Sequence, residues 1–327
     1  MRQFRIKGRR NLDTISFASR DDFDVMPCDE NTGLTDVTGG GDFLVYCADF
    51  DAQCLFYTDN SVPLRSQDVP FLYLAQRRAA ATMIEVPFQR LHEITSPPMT
   101  PTFIITPGRC GSTLLVQLLL AAGVAAVSEP DSFSNLAIRQ AVKPAGIVLP
   151  FEREMLRASV TTFHAGWGTE PAIKLRGCCC LIVKQLLSTF PSARFIFVLR
   201  DRRRWVESQS RAFGFNARTL SFLLRQSILA VHHVASLGRP PTIVWYEDLV
   251  RRPLEVLANF VPSDMLNARK QQVLEAFSRD AQADSPLERA SLAPHRVNAE
   301  HVLTFEARWR LERPIDLIDK HGLEPLA

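Results

Sequence analysis

From Thr102 onward the chain alternates short apolar runs with longer segments whose apolar positions recur every three or four residues. TFIIT (102–106) predicts a buried strand, and STLLVQLLLAA (Ser112–Ala122) predicts a helix stopped by Gly123. Ala125–Val127 and Ala172–Leu175 predict two further short strands, with a helix from about Cys180 to Phe190 after the second. RFIFVLR (Arg194–Arg200) is the strongest strand signal in the chain. RRRWVESQSRAF behind it predicts a helix, and TIVWYEDL (Thr242–Leu249) a strand and a turn. Later helices are expected over Pro253–Phe260 and near Gln271–Phe277. This alternation predicts βαβ units, an α/β fold whose parallel sheet carries helices on both faces. Ligands of such sheets bind at the carboxyl ends of the strands, which is where the chemistry is expected.

The first 95 residues have another texture. DFLVYCADF and AQCLFYT are short β-like runs around a glycine triplet (Gly39–Gly41), and VPFLYLAQRRAAATMIEV (69–86) predicts one long helix. SPPMTP (Ser96–Pro101) places three prolines in six residues, which neither a helix interior nor a central strand accepts. The expected organisation is a small α+β N-terminal unit over 1–95, a proline-rich linker over 96–101 and the main α/β domain over 102–327. Residues 1–95 carry no recognisable motif.

Composition narrows the class without naming it. With 46% hydrophobic and 22% charged residues, the chain reads as an ordinary globular enzyme, and a net charge of +3 gives no argument for nucleic acid. Seven cysteines include three in a row (Cys178, Cys179, Cys180), and no spacing suits a metal. They are expected to be buried apolar thiols in a reducing compartment. The charged N-terminus lacks the apolar core of a secretory signal, and no apolar run approaches a membrane span, so a cytoplasmic location is expected.

Candidate chemistry begins at TPGRCGSTLL (106–115), between a strand and a helix. Gly108 and Gly111 let backbone N–H groups close around an anion, Ser112 and Thr113 add hydroxyl donors, and Arg109 adds a permanent cation. Cys110 completes the loop. Two residues, not four, separate the glycines, and Ser112 stands where the lysine of a nucleoside-triphosphate loop would be. Further on, Arg200 ends the strong strand and Ser208 follows eight residues later, about two helical turns away. Each segment has a plainer explanation, a packing turn for the first and a solvated basic helix for the second.

Taken together and in this order, the two segments resemble the sulfotransferase family that uses 3′-phosphoadenosine 5′-phosphosulfate (PAPS). PGRCGSTLL is similar to that family's 5′-phosphosulfate loop, and FIFVLRDRRRWVES to its 3′-phosphate motif. SEPDSF (Ser128–Phe133) and WYEDLVRRPLEVL (Trp245–Leu257) are lesser matches, and the resemblance covers about residues 102–260. It implies Gly108, Arg109, Cys110, Gly111, Ser112 and Thr113 around the phosphosulfate, with Arg200 and Ser208 on the 3′-phosphate. It also implies a P-loop-like sulfotransferase fold, 3′,5′-ADP as product and no metal. Lys174 stands in AIKLRG, but Leu175 and Arg176 replace the Thr-His that many cytosolic members carry there. Bacterial carbohydrate and tyrosylprotein branches instead use a glutamate beyond the loop helix, which implies Glu129 as the base, with Lys174 assisting. Leu114 stands where the steroid and phenol branch has a tryptophan. The implied acceptor is a hydroxyl or amine on a small molecule, carbohydrate, lipid or peptide. Two alternatives share the fold: a small-molecule kinase, and a member that binds nucleotide without turnover.

Overall fold

The computed structural model describes residues 1–28 other than Leu12 and Thr14, Val37, 42–60, 70–94, 99–142, 149–238, 241–279 and Ala281. The Gly39–Gly41 triplet and residues 96–98 of the proline-rich stretch lie outside them. The chain forms two compact units that interleave in sequence. One comprises 1–102, 125–175 and 185–193; the other comprises 103–124, 176–184 and the chain from 194 onward.

In the first unit, β1 (Arg2–Arg9), β2 (Phe23–Pro27), β3 (Phe43–Asp49), β4 (Cys54–Asp59) and β5 (Thr82–Pro87) form a sheet in the order β2-β1-β5-β4-β3. All neighbours in it are antiparallel. The expected helix over 69–86 is corrected here: α1 spans only Leu72–Ala79, Ala80 is already extended, and TMIEVP becomes β5. Helical propensity over these residues is outweighed by pairing. β5 has β1 on one side and β4 on the other, and Met83, Ile84 and Val86 are fully buried. The same unit takes up α3 (Asp131–Val142) and α4 (Pro150–Trp167), both packed on β3. Asn135 joins two segments there, accepting from Ala48 N–H at 2.9 Å and donating to the Ala18 carbonyl at 3.0 Å.

A charged cluster sits in this core. Arg77 on α1 is fully buried, with Nε 3.1 Å from Asp22 Oδ2 and 3.2 Å from the Tyr46 hydroxyl, which itself donates to Asp22. Burial pushes the Tyr46 phenol far up, so it stays a donor. Replacing Arg77 by methionine leaves the Asp22 charge buried without that cation and is expected to cost about 3–5 kcal/mol, read by urea titration.

A second, parallel sheet of five strands is flanked by helices and ordered β10-β9-β6-β8-β7. Its strands are β6 (Thr102–Ile105), β7 (Ala126–Ser128), β8 (Ala172–Lys174), β9 (Arg194–Leu199) and β10 (Thr242–Trp245), close to the expected positions. β9 and β10 run parallel in register from Ile196–Thr242 to Leu199–Trp245, and so do β7 and β8. β9 is strand-forming because Phe195, Ile196, Phe197, Val198 and Leu199 are all buried, as a strand covered on both faces requires. The helix α2 (Ser112–Ala121) follows β6, and Gly123 beyond it adopts φ +85°. The helix expected from Cys180 begins as a 3₁₀ stretch (Gly177–Ile182) before α5 (Val183–Thr189). α6 (Arg202–Phe213) and α7 (Ala217–Ser236) follow β9. The turn expected after β10 is a helix, α8 (Tyr246–Arg251), succeeded by α9 (Pro253–Leu257), α10 (Ser263–Ala268) and α11 (Lys270–Ser278). No helix among the described residues is long and apolar enough to cross a membrane.

Candidate functional site

The loop between β6 and α2 has the backbone of an anion cradle. Gly108, Arg109 and Gly111 all have positive φ, at +84°, +57° and +81°. Successive residues of left-handed character turn neighbouring N–H groups toward one concavity, and the N-terminus of α2 opens directly behind Gly111. Arg109 holds this conformation despite its Cβ, a local strain of about 1 kcal/mol or more. Gly111 has no alternative: a Cβ there would stand 2.5 Å from Tyr246 Cδ2 and 3.0 Å from its Cε2. Gly177 is similarly constrained, since its Cβ would sit 3.0 Å from the Pro107 carbonyl carbon and oxygen. Gly111→Ala is therefore expected to weaken binding of a phosphate-bearing ligand such as 3′,5′-ADP about tenfold or more while the rest of the fold persists, as calorimetry and far-UV circular dichroism would show.

Two motifs far apart in the chain meet at this loop. Arg109 Nε donates to Ser208 Oγ at 3.3 Å across 99 positions, and Arg200 Nη1 donates to the Arg109 carbonyl at 3.3 Å. Ser208 is buried on α6, and Arg200 leaves the end of β9 with its guanidinium 4.3 Å from the centre of the Tyr246 ring. Arg200 Nε is buried and meets no acceptor among the described residues. Asp201 caps α6 by accepting from Arg204 N–H at 3.0 Å, which fixes where the helix leaves the strand. The result is a pair of guanidinium groups, a hydroxyl and a ring of backbone amides, a set suited to phosphate-like oxyanions.

Ser112 and Thr113 are buried in the first turn of α2. The Cys110 side chain turns inward and donates to the Gly108 carbonyl at 3.3 Å, and burial pushes its thiol up to about 12. It is an inert neutral group, which leaves the backbone as what this residue offers the loop. Cys180 lies against the same junction, its Sγ 3.7 Å from the Thr106 carbonyl, with its thiol also raised by burial. Five of the seven cysteines are buried and none forms a disulfide, while Cys28 and Cys178 are half-buried.

Glu129 and Lys174 belong to the first unit and are brought together there. Glu129 follows β7 with φ +55°, and its N–H donates to the Lys174 carbonyl at 2.7 Å. The Lys174 ammonium forms an ion pair with Glu129 Oε1 and lies 5.4 Å from the centre of the Phe71 ring. Lys174 is only 2% exposed and the Glu129 side chain 13%. Ser128 beside them donates to the Pro70 carbonyl at 2.7 Å. The pair sets a carboxylate in a strained, mostly buried position directly against an ammonium.

Four neighbours of these groups escape a reading by motif. Trp205 and Gln209 reach the loop from α6, Tyr246 lies beneath both Gly111 and Arg200, and Phe71 packs on Lys174. Trp205 and Gln209 are four residues apart and share one face of α6, with Ser208 three on from Trp205, and that spacing is the available signal. Phe71 carried none, because only tertiary folding brings residue 71 to residue 174.

A family model described as the sulfotransferase domain matches residues 172–281, a stretch that contains Arg200 and Ser208 and begins after the 106–113 loop. No curated protein sequence matches the chain. Similar solved structures include sulfotransferase STF9 from Mycobacterium avium, at 12% identity and a TM-score of 0.45 over 68% of this chain and 78% of that one. Another is the sulfotransferase domain of the Synechococcus PCC 7002 olefin synthase, at 18% identity and 0.40 over 65% and 96%. A third is retinol dehydratase in complex with androsterone and inactive cofactor PAP, at 15% and 0.34 over 73% and 86%. All three scores lie below 0.5, so the fold rests on the strand order alone. Residues 172–281 thus match the domain model of the sulfotransferase family, the family that the two motifs resemble.

Proposed function

We propose that this transferase moves a sulfuryl group from PAPS to an acceptor hydroxyl or amine by in-line displacement. One observation carries the reading: the glycine loop and the Arg200–Ser208 motif converge, with Arg109 on Ser208 and Arg200 on the Arg109 carbonyl. In this scheme the loop amides, Arg109, Ser112 and Thr113 hold the 5′-phosphosulfate, and Arg200 and Ser208 hold the 3′-phosphate. The acceptor oxygen or nitrogen attacks sulfur, its proton passes to Glu129, and the bond from sulfur to the bridging phosphate oxygen breaks. Arg109 meets the negative charge that grows on that oxygen, and Lys174 the charge on the sulfuryl oxygens. PAPS supplies the activated sulfuryl group; the protein supplies position, charge and a proton acceptor.

The test is a turnover assay with PAPS and panels of hydroxylated and amino acceptors, following release of 3′,5′-ADP. Release that depends on an acceptor supports the proposal. Phosphoryl transfer from ATP with magnesium, in place of sulfuryl transfer, overturns it.

A further inference from the structure

We propose that Gln209 and Trp205 are positioning residues that aim the phosphosulfate loop from the helix that also carries Ser208. The inference rests on the reading of this loop as the 5′-phosphosulfate site. Gln209 Nε2 donates to the Pro107 carbonyl at 2.8 Å and to the Gly108 carbonyl at 3.0 Å. Trp205 Nε1 donates to the Gly108 carbonyl at 2.9 Å. Both side chains are fully buried, and both lie on the inner face of α6.

The peptide plane turns these bonds into control of the loop's donors. In a trans peptide the carbonyl and the following N–H point in opposite directions. Holding the Gly108 carbonyl against α6 therefore directs the Arg109 N–H away from the helix. Holding the Pro107 carbonyl directs the Gly108 N–H away as well, where it donates to Thr106 Oγ1 at 3.1 Å. The positive φ values of Gly108 and Arg109 are the backbone counterpart of this arrangement. With carbonyls tied back, the concave side of the loop presents N–H groups, as an anion requires.

Gln209 does this at a cost to the fold. Its amide must place nitrogen toward the two carbonyls, because the flipped amide would set oxygen against both. Its Oε1 is then buried without a donor among the described residues. A leucine at this position would avoid an unsatisfied oxygen, so the two donated bonds are the reason for an amide there. Since α6 also carries Ser208, the aim of the 5′ loop and the 3′-phosphate contact are set by one rigid element.

Calorimetric titration of Gln209→Leu and Trp205→Phe with 3′,5′-ADP, 5′-AMP and 3′-AMP tests this, with thermal unfolding as the control. Loss of aimed donors to a charged group is expected to weaken 3′,5′-ADP and 5′-AMP by about tenfold or more in Gln209→Leu, and by less in Trp205→Phe. Binding of 3′-AMP, which has no 5′ group for the loop to hold, is expected to stay within about twofold. Equal weakening of all three ligands, or of none, in either folded variant overturns the proposal. If Gln209→Leu fails to fold, Trp205→Phe decides alone, since it removes one donor and keeps an aromatic ring. Failure of the unmutated protein to bind 3′,5′-ADP would count against the proposed function and not against the clamp.

Discussion

Glu129→Gln is expected to lower sulfuryl transfer by about a thousandfold while leaving the affinity for 3′,5′-ADP within about twofold. The amide keeps the shape of the side chain and its place after β7, but it cannot take a proton from an attacking hydroxyl. The donor contacts proposed above lie on other residues: Gly108 to Thr113, Arg200 and Ser208. Because Glu129 also pairs with Lys174, the variant loses an ion pair that is largely buried, and a lower unfolding temperature accompanies the lost activity. Rates compared well below that temperature separate the two effects. Retained turnover in folded Glu129→Gln would move the base elsewhere, and a parallel fall in 3′,5′-ADP binding would make Glu129 a structural residue.

Arg200→Ala should weaken 3′,5′-ADP by about ten- to a hundredfold and leave 5′-AMP almost unchanged. The guanidinium is held between the Tyr246 ring and the Arg109 carbonyl, with a buried Nε that meets no acceptor among the described residues. A 3′-phosphate would supply that acceptor and a charge to match. Truncation removes both, and the loop proposed to hold the 5′ group keeps its ties to Trp205 and Gln209. An equal loss for 3′,5′-ADP and 5′-AMP would show that Arg200 serves the loop and not the 3′-phosphate.

The parts of the fold readable from sequence were those with strong local signals. β9 is five buried apolar residues in a row, and α2 is a leucine-rich helix between two glycines with positive φ. The segment 69–86 misleads because its alanines and arginines favour a helix up to Ala79, while the fate of Thr82–Pro87 is decided by strands from elsewhere in the chain. Tyr246 was expected in a turn, yet it begins a short helix and sets the limit on Gly111. The glycine loop and the Arg200–Ser208 pair stand out in the sequence because an anion site calls for particular residues at fixed spacing. The bonds from Gln209 and Trp205 to the loop do not, since what those side chains answer to is two loop carbonyls that only folding brings to α6. The Arg77–Asp22–Tyr46 group was hidden for a related reason: three polar residues dispersed over 55 positions meet only in the folded core.

The central claim is that the paired motifs hold a nucleotide bearing both a 5′ and a 3′ phosphate. Calorimetric titration of the intact protein with 3′,5′-ADP, with ADP, and with ATP plus magnesium tests it most directly. Micromolar binding of 3′,5′-ADP, with ADP and ATP far weaker, is the result predicted here; preference for ATP with magnesium would contradict it and make the site that of a kinase.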